Sequence, residues 1–87
     1  MRTGLAIQSM WLYEHDAEVD ALYVYLSDRA YAFGEELSPE RRVDFATDGT
    51  PVGVELTCLS HGVSVAGLPA ADEISELLAR LNIKTLV

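Results

Sequence analysis

Apolar and polar residues alternate with period two through much of this chain, and near its C-terminal end the period changes to about 3.6. Over Asp20 to Ser27 the residues Leu22, Val24 and Leu26 share one face of an expected strand, with Ala21, Tyr23 and Tyr25 on the other. Val43 and Phe45 alternate with Arg42 and Asp44 over Arg42 to Ala46, and Val52, Val54 and Leu56 alternate with Gly53, Glu55 and Thr57. Thr47-Asp48-Gly49-Thr50 separates the last two runs, and Asp-Gly between alternating segments is the strongest short hairpin signal.

The remaining segments are patterned less sharply. Met10 to Glu14 predicts a short strand of good β propensity, followed by a turn over His15 to Val19 in which Asp16 bonds its own backbone. A further strand is expected over Tyr31 to Leu37, where Gly34 marks a bulge or a close approach, and Ser38-Pro39-Glu40 supplies the next turn. Residues 1–9 have no period and read as a loose lead-in. After a glycine-marked connection with a brief extended piece at Val63 to Ala66, Ile74, Leu77, Leu78 and Leu81 form one stripe of an amphipathic helix over residues 69–82. Pro69 suits its first turn, Asp72 and Glu73 its positive end and Arg80 its negative end. The leucine stripe needs a surface, and the aliphatic face of the strands is the large one available. The expectation is a single α+β domain: an antiparallel β-meander of four to five strands, residues 10–58, with one C-terminal helix packed on one face.

Size adds a constraint. A chain of 87 residues removes only roughly 60 to 65% of its unfolded surface from water. Without a disulfide framework or a run of metal ligands, association with another chain is a natural reinforcement, so a homo-oligomer is expected. Fourteen acidic residues against six basic ones give a net charge of −8, which repels phosphate backbones and anionic lipid and steers toward a basic partner. No direct nucleic-acid binding and no membrane association are expected. The lone Cys58 has no partner for a disulfide, and no apolar stretch approaches a signal core or a membrane span; both favour the cytoplasm.

Candidate chemistry is thin. Asp16-x-Glu18-x-Asp20 resembles the opening of a calcium loop, but Ala21 stands where the loop needs glycine and Ser27 where it needs a bidentate glutamate. His15, His61 and Cys58 lack the spacing of a zinc site. Ser60-His61 has no nucleophile elbow or identifiable oxyanion hole, and Glu35 and Glu36 point to opposite faces of a strand. No catalytic residue, cofactor or metal ligand is nominated. The sheet face away from the helix is richer: Tyr23, Tyr25, Arg42, Asp44 and Glu55 combine aromatic area with charge, the composition of a contact surface, and they are the candidate partner-binding residues. The competing view is a solvated face with cross-strand pairs such as Arg42 with Glu55.

Asp16-x-Glu18-x-Asp20-Ala21-Leu22-Tyr23-Val24, then Val43-Asp44-Phe45, Asp48-Gly49 and Val52-Gly53-Val54-Glu55, resembles the DUF2283 family of small bacterial proteins over roughly residues 10–58. One departure is His15, where members usually carry tyrosine. The resemblance implies a compact β-meander, a bacterial source and no assigned activity. A position beside small toxin-like genes in some members points to a partner-binding role. The functional expectation is therefore a non-catalytic interaction module, an acidic antitoxin-like partner of a small basic protein. The alternative is a small enzyme or ligand-binding protein whose site forms only at an oligomer interface.

Overall fold

The strand with the fewest polar side chains takes the centre of the sheet. Pro51–Leu56 buries Val52, Gly53, Val54 and Leu56 and exposes only Glu55 fully. The structure, a computed structural model, describes residues 12–86; the expected lead-in over residues 1–9, with Met10 and Trp11, lies outside the described residues. Five strands, β1 (Tyr13–Asp16), β2 (Ala21–Tyr25), β3 (Phe33–Ser38), β4 (Arg41–Phe45) and β5 (Pro51–Leu56), form one antiparallel sheet in the order β1-β2-β5-β4-β3. The α+β class and the meander hold: β3, β4 and β5 run consecutively, and β5 closes against the β1–β2 hairpin. Both edge strands are almost wholly exposed and rich in acidic residues, as suits edges that must not pair indiscriminately.

Strand ends differ from expectation where side chains take over. The first strand runs on through His15 and Asp16, and its turn falls at 17–20. Asp16 Oδ1 accepts from the amides of Glu18 at 3.0 Å and Val19 at 3.4 Å, the expected Asx-type turn one step later in the chain. Asp20 closes that turn with φ 59°, a left-handed conformation that aspartate tolerates better than most residues. Residues 26–32 carry the chain past the 47–50 turn to the far edge, and the Arg29 guanidinium meets Asp48 at 2.9 Å on the way. Gly49 takes φ 87° in that turn, where Thr50 N–H donates to Asp48 Oδ1 at 3.0 Å.

The core lies under the helix α1 (Ala71–Arg80), which is preceded by a turn containing Pro69 and Ala70. Its Ile74, Leu77 and Leu78 are buried among Leu22, Val24, Val43, Val54 and Leu56 of the sheet and Leu59, Val63 and Leu68 of the connection. Each such side chain contributes about 1.5–3 kcal/mol by leaving water. Cys58 is a half-buried free thiol at the end of β5, before a 3-10 turn over Leu59–His61. Val63–Ser64 (β6) is the core of the expected extended piece, and it gains a partner that periodicity did not reveal: Thr85–Leu86 (β7), in parallel. No helix among the described residues is long and apolar enough to cross a membrane.

Candidate functional site

The face opposite α1 is ordered by a chain of polar contacts. In register across β2, β5 and β4, Tyr23 stands beside Glu55 and Glu55 beside Arg42, while Tyr25 stands beside Gly53 and Gly53 beside Asp44. All five nominated residues thus occupy one surface. Asp44 is its anchor. Only 9% exposed, its carboxylate accepts from Tyr23 Oη at 2.8 Å on Oδ2 and from Arg42 Nε at 2.9 Å on Oδ1. A buried carboxylate without such donors is costly, and here both oxygens are engaged.

Two glycines make room for that chain. Gly34 of β3 and Gly53 of β5 flank Asp44 in register. The phenol of Tyr23 lies across Gly53, and the Arg42 guanidinium lies over Gly34, where an added methyl group would stand 2.5 Å from Nε. The expected close approach at Gly34 is therefore made by side chains, while the bulge in this strand falls between Glu36 and Ser38. Beyond Arg42 the contacts reach Tyr31, whose hydroxyl accepts from Arg42 Nη2 at 2.8 Å and whose ring centroid lies 5.8 Å from the guanidinium carbon. Tyr25 completes the surface, edge-on to Tyr23 with centroids 4.8 Å apart.

Arg42 and Glu55 are cross-strand neighbours, but the guanidinium turns to Asp44 and Tyr31 instead; among the described residues the Glu55 carboxylate has no hydrogen-bond or ion-pair partner. Asp44 wins because it is more buried, so its charge gains more from a counter-ion than that of solvated Glu55. Burial, reinforced by the bond to Asp44 and its charge, raises the Tyr23 phenol well above the usual tyrosine range. Tyr25 is raised too, first by burial and then by the Glu14 carboxylate. The hydrogen bond to Asp44 holds the Arg42 charge more firmly still. At neutral pH both phenols keep their protons, and the surface presents half-exposed rings with donor hydroxyls, not a nucleophile. Tyr31, expected to open the third strand, lies instead in the irregular segment before β3, which starts at Phe33, and it joins the site without having been nominated. The flanking of Asp44 by Gly34 and Gly53 was a signal, but it becomes visible only once the strand order is known.

The model of the DUF2283 family, described as a protein of unknown function, matches residues 13–59, more than half of the chain. The chain belongs to this family. No curated protein and no solved structure matches it. The DUF2283 region starts with β1 and stops at Leu59, so it contains the whole outer-face surface and leaves α1 outside.

At a second corner, Asp20 of the DUF2283 region meets Ser60, which lies just past it. Ser60 donates its amide to Asp20 at 2.9 Å and its hydroxyl at 2.7 Å, both to Oδ2, and His15 and His61 are close enough to act on the carboxylate. Those bonds, the amide's first, hold Asp20 below the usual carboxylate range. Ser60 is bonded directly to an acid of lowered basicity, with no imidazole between them, so this is a clamp between the turn before β2 and the connection to α1 and not a nucleophile relay. A cleft of about 320 Å³ beside it is lined by His15, Asp20, Ser60 and Lys84, among others.

Proposed function

We propose that this protein is a non-catalytic interaction module of the bacterial cytoplasm that binds a basic protein partner through its outer sheet face, in the manner of an antitoxin, and that it works as a homo-oligomer. The observation that carries this reading is the preformed surface of Tyr23, Tyr25, Tyr31 and Arg42, fixed by buried Asp44. Side chains already held in place lose little conformational freedom on binding, and tyrosine and arginine are the residue types that dominate binding energy. Tyr25 is 38% and Tyr31 55% exposed, which leaves aromatic area for a partner to cover. The net charge of −8 supplies steering toward a basic surface, and the free Cys58 suits a reducing compartment.

The test is a solution mass together with identification of whatever protein travels with the native chain. A basic companion whose association is lost in the Tyr25→Ala, Tyr31→Ala double variant supports the reading. A companion that binds the double variant as tightly contradicts it, and a bound metabolite at an oligomer interface favours a ligand-binding role. Tyr23 is left intact in this test because its hydroxyl serves Asp44, so its removal would disturb the surface it was meant to probe.

A further inference from the structure

We propose that the outer edge of β3, which no strand pairs with among the described residues, accepts an extended basic segment of the partner as a sixth strand, with two consecutive Lys or Arg residues opposite Glu36 and Glu35 and an apolar residue opposite Phe33. This inference rests on the interaction-module reading above and adds where, and in what form, a basic chain engages.

Backbone alternation identifies the free groups. The amide of Thr57 donates to the carbonyl of Glu40 at 3.0 Å beyond the Arg41–Leu56 pair. In an antiparallel ladder this makes Arg42 exchange its bonds with β5 and Val43 with its β3 partner Glu35. The N–H and C=O groups of Gly34 and Glu36 therefore point away from β4, toward the open side of the sheet. An added strand would pair with those groups.

The side chains state what kind of strand fits. Residues Phe33 to Leu37 are all exposed, and Phe33, at 44% exposure, extends the apolar face by stacking on Phe45 with centroids 5.2 Å apart. Glu35 lies beside Phe33 on the α1 side of the sheet and Glu36 on the outer side, next to Arg42 in register. Among the described residues neither carboxylate has a hydrogen-bond or ion-pair partner. Two copies of β3 placed side by side would bring these carboxylates together, so like charge disfavours a second copy and opposite charge favours a basic strand. An antiparallel guest reads, from its N-terminal end, basic, basic, any residue, apolar, because its successive side chains fall on alternate faces. At the other edge, β1, the carboxylate of Asp16 serves its own turn and Glu14 acts on Tyr25, leaving less free charge for a guest.

The test uses the full chain and a fluorescein-labelled peptide, Thr-Thr-Lys-Arg-Thr-Val-Thr-Thr, followed by fluorescence anisotropy at low salt. Saturable binding with Kd below about 1 mM is expected. An analogue N-methylated at the lysine and at the threonine following the arginine, which face Glu36 and Gly34, should bind about tenfold more weakly, since it keeps the charges and loses two backbone bonds. The Glu35→Lys, Glu36→Lys variant should weaken binding by at least about tenfold, and Glu36→Pro, which removes an outward N–H, should weaken it while leaving the far-ultraviolet circular dichroism unchanged. Absence of saturable binding overturns the proposal, as does equal binding of the N-methylated analogue, which would mean attraction without strand addition. A dimer dissociated by Glu36→Pro would assign the edge to a second copy and also overturn it. If the peptide fails while Tyr25→Ala, Tyr31→Ala still weakens partner association, the edge proposal falls and the outer-face reading stands.

Discussion

The two faces of one sheet are held in order by different physics. Beneath α1, Leu22, Val24, Val43, Val54 and Leu56 are fixed by exclusion of water and close packing, with nothing directional required. On the outer face the same strands present Tyr23, Arg42 and Asp44, which are fixed by hydrogen bonds of 2.8–2.9 Å above glycines that supply no side chain of their own. The inner face makes the protein fold. Among the described residues the outer face is organised without being covered, and the proposed partner-binding role rests on that difference.

Substitutions sharpen that contrast in descending order of effect. Leu78→Ala, at a fully buried position, should cost about 3–4 kcal/mol in urea unfolding; a loss under about 1 kcal/mol would mean that α1 is not the lid of the core. Gly53→Ala should cost about 2–3 kcal/mol, because the added methyl group overlaps the Tyr23 ring and forces it off Asp44. A neutral Gly53→Ala would show that the ring does not lie there. Tyr23→Phe removes one hydroxyl donor from a carboxylate that keeps Arg42, and about 1 kcal/mol is expected. The smallest effect is at the Asp20 clamp. Because the Ser60 bonds lower its pKa in the folded state, Asp20 stabilises the fold above the ordinary value of 3.8 and ceases to do so as pH falls through the lowered value. Ser60→Ala should lower stability slightly across the neutral region and flatten the profile in that acid window, so that variant and parent converge below it.

Much of this organisation is legible in the sequence alone. Leu22, Val24, Val43, Val54 and Leu56 alternate with polar neighbours, and Ile74, Leu77 and Leu78 repeat at helical spacing, so faces and elements follow from periodicity. The five outer-face residues were legible for the same reason, since alternation assigns a face without knowledge of strand order. Order is a non-local property: that β5 lies between β2 and β4, and that Gly34 and Gly53 both border Asp44, depends on pairings that no window of sequence contains. Tyr31 reaches the site from an irregular segment by the length of its side chain, and Thr85–Leu86 is too short to carry a period. The meeting of Asp20 with Ser60 likewise depends on the closed fold.

The central claim is that the outer face is set in place by the Tyr23–Asp44 bond, and titration of the tyrosines tests it most directly. In protein labelled at the tyrosine ζ carbon, the Tyr23 resonance should stay in its protonated position as pH passes the ordinary value of 10.0, since burial and Asp44 both oppose ionisation. The raised folded-state value means that this bond stabilises the protein fully below pH 10.0 and is lost only as pH climbs toward the raised value. Asp44→Asn should bring the Tyr23 transition part of the way back, leaving the share due to burial. A Tyr23 that titrates at the ordinary value, unaltered by Asp44→Asn, would contradict the account.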